Sequence, residues 1–330
     1  MIRINKALHL SLSAIFLLVS ILSCTRQMER KEAEVHLKAF DNELIRLSDK
    51  LTSTLSYRIL KEISAIENVP LPLLKHEQER PGAPDRFNFK DYVGIYKYDS
   101  INNIFYKHSH SDSIIIKYTY RDNKNSNVEL VLSDYDEKKT SSSYVIPTTL
   151  YFEMTIDDKS IMSIEHNAEV EHGMPTFMDF RAFFDDYKIT TKMTTKLRKT
   201  KGYLDQDITI GHKTDNIFEA NVNAVLGFQD SVSYYVKSIT KQVEMYPISI
   251  NARVNNEDIN LKTNNYVEEF NKNSNITIFS TTNNKKVGEV KLKTKPGSDK
   301  LDYVVYFKDG SFVFIDEMLF SAERILNFKL

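Results

Sequence analysis

The chain has 330 residues, enough for one large domain or two ordinary ones with cores of their own. It is 41% apolar and 27% charged, which excludes a disordered tail and a membrane-embedded helical bundle. With 44 basic against 45 acidic side chains, the formal net charge is -1, and the basic excess that nucleic-acid binding draws on is missing.

The N-terminus carries an address. Arg3 and Lys6 form a short basic start, Ala7 to Leu22 are mostly apolar, and the small residue Ser23 precedes the sole cysteine, Cys24. That order is the order of an export signal over residues 1–23. The apolar run, interrupted by His9, Ser11 and Ser13, is too short for a comfortable transmembrane helix, which needs about 20 apolar residues. One cysteine excludes an intrachain disulfide and any zinc site built on several thiolates. Ile21-Leu22-Ser23-Cys24 resembles a bacterial lipobox: a branched aliphatic residue, a small residue, then cysteine. The resemblance implies cleavage before Cys24, acylation of its thiol and new amino group, and anchorage at the cell envelope, with the outer membrane as the expected site. Several acyl chains hold a protein where one alone does not. Cleavage removes Arg3 and Lys6 and no acid, making the mature chain two units more negative, so its lipid rather than its charge would hold it there.

From Cys24 to residue 69 the pattern is helical. Leu37, Phe40, Leu44, Leu47, Leu51, Leu55, Ile59, Ile63 and Ile66 recur at steps of three and four, predicting one helix or a broken pair packed on a sheet downstream. Lys38, Glu43, Arg46, Lys50 and Lys61 fill the other face. Pro70, Pro72, Pro81, Gly82 and Pro84 then mark residues 70–90 as a linker.

After Asp91 the period becomes two. Leu150, Phe152, Met154 and Ile156 alternate with Tyr151, Glu153 and Thr155, and similar alternation runs through 161–170, 187–197 and 217–228. One apolar and one polar face per strand predicts an antiparallel sheet with one side in water. Short links at Asp157-Asp158-Lys159, Asp185-Asp186 and around Lys213 predict sequential hairpins, a meander over residues 91–240. Lys188, Lys192 and Lys196 are placed to face Asp205 and Asp207 on the next strand. A smaller β module is expected over 241–330, with strands at 275–280, 286–293, 301–308 and 311–315 and a short helix within Lys262 to Asn271. Asp309-Gly310 is its hairpin signal. Asp316 reads as the N-cap of a closing helix carrying Leu319, Phe320, Ile325, Leu326 and Phe328. The fold class is α+β and mainly β.

Four short motifs resemble those of uncharacterised Bacteroidetes lipoproteins with a helical start and a β-rich body. They are Asp91-Tyr92-Val93-Gly94-Ile95-Tyr96, Asp157-Asp158-Lys159-Ser160-Ile161, Glu169-Val170-Glu171-His172-Gly173-Met174-Pro175 and Phe307-Lys308-Asp309-Gly310-Ser311. The resemblance implies a fold and a location, and no activity.

Candidate chemistry is sparse. His108, His110 and Asp112 would share one face of an extended segment, a donor set that suits zinc or non-haem iron and a hydrolase, although polar residues between strands also read as loop. His166 falls on an apolar strand face, as a hydrogen-bonded core histidine does, and Glu171-His172-Gly173 reads as a turn. Asp157-Asp158 and Asp185-Asp186 sit where aspartate is favoured for local hydrogen bonding. Asp122 to Asn127 lacks the closing glutamate of a calcium loop. No catalytic nucleophile motif or phosphate loop occurs, so no cofactor is expected. Tyr92, Tyr96 and Tyr98 are expected on one strand face, and with Tyr118, Tyr120, Phe183, Phe184, Tyr234 and Tyr235 they suit either core packing or the lining of a curved sheet. The resulting expectation is a lipid-anchored envelope protein with a binding or structural role. Its partners are the membrane, through Cys24, and a protein or hydrophobic ligand; a carrier is the alternative, and a metal-dependent hydrolase the third reading.

Overall fold

The structure, a computed structural model, describes residues 27–71, 87–121, 124–139, 145–171, 174–228, 234–259 and 265–321. Cys24, His172, most of the proline-rich linker and residues 322–330 lie outside the described residues.

The helical stripe becomes two helices, α1 (Arg30–Thr52) and α2 (Leu55–Ser64). Three consecutive hydroxyl residues make the break. Thr52, Ser53 and Thr54 donate their hydroxyls to carbonyls of Ser48, Lys50 and Leu51, the competition that ends helices. The Thr54 oxygen also accepts the Tyr57 amide at 3.3 Å and so caps α2. A four-residue helix, α3 (Phe89–Tyr92), leads into the sheet. Tyr92 therefore sits on a helix, not on a strand face with Tyr96 and Tyr98, and its carbonyl accepts the Tyr96 hydroxyl.

Sixteen strands follow: β1 (Gly94–Asp99), β2 (Ile104–Ser109), β3 (Ile114–Tyr120), β4 (Ser126–Lys139), β5 (Val145–Ile156), β6 (Lys159–Glu171), β7 (Met174–Phe184), β8 (Tyr187–Leu197), β9 (Lys201–His212), β10 (Asp215–Phe228), β11 (Tyr234–Met245), β12 (Ile248–Asn255), β13 (Ser274–Ser280), β14 (Lys286–Thr294), β15 (Leu301–Tyr306) and β16 (Phe312–Phe314). They form one sheet, each strand from β3 to β16 antiparallel to the next, with β1 inserted parallel to β3 and β2 outermost. The division expected at 240/241 falls inside β11, whose ladders to β10 and β12 are continuous there. Gly94 starts β1 at φ 147°, a conformation side-chain-bearing residues rarely adopt, and its amide donates to the Ser113 carbonyl at the end of the β2–β3 crossover at 2.8 Å. Asp157 and Asp158, at φ 46° and 64°, make the two-residue turn between β5 and β6, whose twist matches the flanking strands.

The faces divide as the alternation requires. On the apolar face, α1 and α2 run across the strands near the Asp157, Asp185, Lys213 and Pro247 turns. The α2 residues Ile59, Leu60 and Ile63 pack on β3 to β6, including Ile116, Leu130 and Met154. The α1 residues Ala33, Leu37 and Phe40 share a second core with Met245, Ile248, Val290 and Val305. The far ends of the strands keep a small core of sheet residues alone: Met174, Ala224 and Leu226 with Leu204 and Ile239 around them. The opposite face is polar, and there Thr190 and Thr209 hydrogen-bond across β8 and β9 at 2.6 Å. Register sets Lys192 opposite Asp207 but Lys196 opposite Tyr203, so the expected ladder narrows to one facing pair.

Between β12 and β13 lie a 3-10 turn (Asn256–Asp258) and α4 (Tyr266–Asn273), whose Phe270 is buried beside Leu292. After β16 comes α5 (Ile315–Met318), and the described chain runs on to Ser321, whose amide donates to Asp41 at 2.7 Å. The N-cap of α5 is Phe314, not Asp316. Asp316 lies inside the first turn, where its carboxylate pairs with Lys295 instead of capping. Among the described residues no helix is long and apolar enough to cross a membrane.

Candidate functional site: an apolar cleft beneath α2

A cavity of about 220 Å³ lies between α2 and strands β4 to β7. Strand alternation builds its floor. Leu132, Phe152 and Ile164 stand side by side on adjacent strands, flanked by Leu150, Met162 and Phe184. Leu60 and Leu71 close the wall from above. Among the described residues, polar groups reach it from one side only. Tyr57, Lys61 and Ser64 follow one another at steps of four and three along α2, so they share a flank of the helix and form a rim. Lys61 is exposed and has no acidic partner among the described residues. The Ser64 hydroxyl donates to the Lys61 carbonyl at 2.9 Å, leaving its lone pairs at the rim.

The neighbouring polar groups are structural. His166, 9% exposed, brings Nε2 to 2.9 Å from the Pro147 carbonyl. A carbonyl only accepts, so the ring proton is on Nε2, and Nδ1 is buried without a partner. Tyr118 donates to Glu62 at 3.1 Å on the far flank of α2; burial first, then that carboxylate, pushes its phenol well above the usual range. Asp185, in the β7–β8 turn, accepts the hydroxyl and amide of buried Ser56 at 2.7 and 3.2 Å, fixing the start of α2 to the sheet. Asp157 accepts the Asn127 amide at 2.9 Å. Both aspartate pairs thus serve turns.

The histidine–carboxylate set does not assemble. His108 lies on β2, but that strand ends at Ser109, and Ser111 takes the Ser113 amide into a turn at 3.1 Å. The two-residue period that would align His108, His110 and Asp112 therefore stops after the first of them. All three are exposed, and among the described residues no group of three His, Cys, Asp or Glu gathers to hold a metal. A second, shallower groove of about 500 Å³ lies between α1 and the ends of β10 and β11, but its polar groups pair internally, Arg46 with Glu43 and Asn216 with Glu219.

The sequence pattern alone does not show the cleft. Its walls come from six segments between residues 57 and 184, each of which reads as ordinary core. The available signal is the polar flank 57, 61, 64 beside an apolar stripe.

No protein-family model and no curated protein matches the chain. Among solved structures it is similar to a porin-like protein from Bacteroides vulgatus, over 66% of this chain and 88% of that one, at 9% identity and a TM-score of 0.20. A likeness at that level carries no argument about either fold or role.

Proposed function

We propose that the protein is a lipid-anchored component of the bacterial cell envelope that holds a small apolar ligand in the cleft beneath α2. The lipobox-like run ending at Cys24 supports the anchor and the envelope location. One observation carries the binding role: a cavity walled by apolar side chains opens beside α2, where Leu150 and Ile164 are only half-buried. Apolar surface left in water forfeits about 25 cal/mol per Å², so such an opening favours an apolar occupant. A cavity of about 150 Å³ accommodates benzene; this one takes an aromatic ring or a stretch of one acyl chain.

The test is titration of the mature protein with the neutral fluorophore N-phenyl-1-naphthylamine. Wild type is expected to bind it saturably with one site per chain. Ile164→Trp, which fills the cleft, is expected to abolish binding while circular dichroism stays unchanged. No binding by wild type, or equal binding by the filled variant, overturns the reading. For the anchor, radiolabelled palmitate in the native host is expected to label wild type and not Cys24→Ser; an unlabelled wild type removes it.

A further inference from the structure

Resting on that reading of the cleft, we propose that its ligand is a single-chain amphiphile with an anionic head, its tail between α2 and the sheet and its head at Lys61. Eight of the eleven lining residues are apolar, and the three polar ones occupy a single flank of one helix. A ligand lying in this cleft therefore meets hydrocarbon along its length and polar groups at one edge only. That is the profile of an apolar ligand that carries one polar end.

The sign of the head follows from the charges. Lys61 is the one charged residue of the lining, and no carboxylate among the described residues neutralises it. Glu62, next in sequence, is engaged by the Tyr118 hydroxyl instead. Lys61 lies in the last turn of α2, where the helix dipole turns its negative end outward and disfavours an anion. Selection for a negative head must therefore come from the Lys61 amine, because the Ser64 hydroxyl proton is already given to the Lys61 carbonyl. Volume sets the other bound. A space of about 220 Å³ admits part of one chain and excludes the paired chains of a phospholipid. A fatty-acid-like carboxylate meets both conditions.

Displacement of N-phenyl-1-naphthylamine from the full mature protein by decanoate, decanol and decylamine tests this. Wild type is expected to prefer decanoate to decanol by about fivefold, as a partly exposed charge pair allows, and to bind decylamine weakest. The preference is expected to shrink in high salt. Lys61→Met is expected to bring acid and alcohol to parity, and Lys61→Glu to favour the amine. Lys61 is exposed, so Lys61→Met is expected to leave the melting temperature nearly unchanged, while Lys61→Glu, which sets a carboxylate at the negative end of α2, is expected to lower it slightly. Equal binding of acid and alcohol by wild type, or an acid preference that survives Lys61→Met, overturns the head assignment while leaving the cleft intact. Failure of all three to displace the dye, together with an indifferent Ile164→Trp, overturns the cleft reading itself.

Discussion

Ser56 and Asp185 lie 129 positions apart, yet the carboxylate takes both the hydroxyl and the amide of a serine with no solvent exposure. Asp185 also sits at φ 54°, a conformation that costs a Cβ-bearing residue without a local hydrogen bond. The two contributions are separable. Asp185→Ala is expected to lower stability by about 2 kcal/mol, losing the bonds and retaining the strain, whereas Asp185→Gly relieves the strain and costs about 1 kcal/mol less. Urea midpoints at constant slope would check both; equal losses would place all the cost in the bonds. At this scale the sequence is half legible. Asp185 reads correctly as a turn residue, but nothing near it names Ser56. Lys61 reads as one more solvated charge, because its neighbours across the cleft are supplied by β4 to β7. His108 and His110 mislead because alternation is a property of the strand, and the strand stops between them.

Elements were more legible than residues. The β14 and β15 ranges lie within one or two residues of expectation, since each strand's two-residue period is fixed by which face meets the helices. The interruption at Ser53 and Thr54 is written in three hydroxyl residues, though the apolar stripe runs through it unbroken. Ile59 of α2 has no exposure and belongs to the core beneath that helix without lining the cleft. Ile59→Ala is expected to cost about 3 kcal/mol, the lost transfer energy plus a residual void, measured by chemical unfolding. A loss below about 1 kcal/mol would mean that α2 is loosely held and the cleft ill-defined. Asp316 fails as a cap for a reason invisible locally: Lys295, 21 positions earlier, claims its carboxylate.

At the scale of the molecule, the hairpin order was readable from link lengths, while the parallel insertion of β1 between β2 and β3 was not, because two short strands with similar patterns can be ordered either way. Four carboxylates scattered over the sheet and its loops are held low by hydrogen-bond donors. Glu289, held below the usual carboxylate range first by Lys286, Asp316 by Lys295, Asp99 by Asn102 and Asp309 by Ser311 all prefer the ionised form when folded. Depressed folded values mean stability that is complete above the ordinary carboxylate range and is lost as pH falls through it toward those values. Thermal unfolding is therefore expected to be flat near neutrality and to weaken below about pH 4. Glu289→Gln is expected to cost less than about 1 kcal/mol at neutral pH and nothing in strong acid. A constant deficit across that range would remove the ionic explanation.

Gln27 bridges to Lys286 and the Met28 amide donates to the same residue at 2.8 Å, so the chain is tied to β14 three residues after Cys24. At no more than about 3.6 Å per residue, that leash is about 11 Å long. If Cys24 is acylated as proposed, the β13–β14 corner, where Lys286 holds Gln27 and Met28, is the part of the sheet tethered nearest the bilayer. Under that proposal the 23-residue α1, about 35 Å long, separates the tethered corner from the cleft beneath α2. A tether at one end of α1 and a cleft beyond the other would let cargo be exchanged apart from the point of attachment.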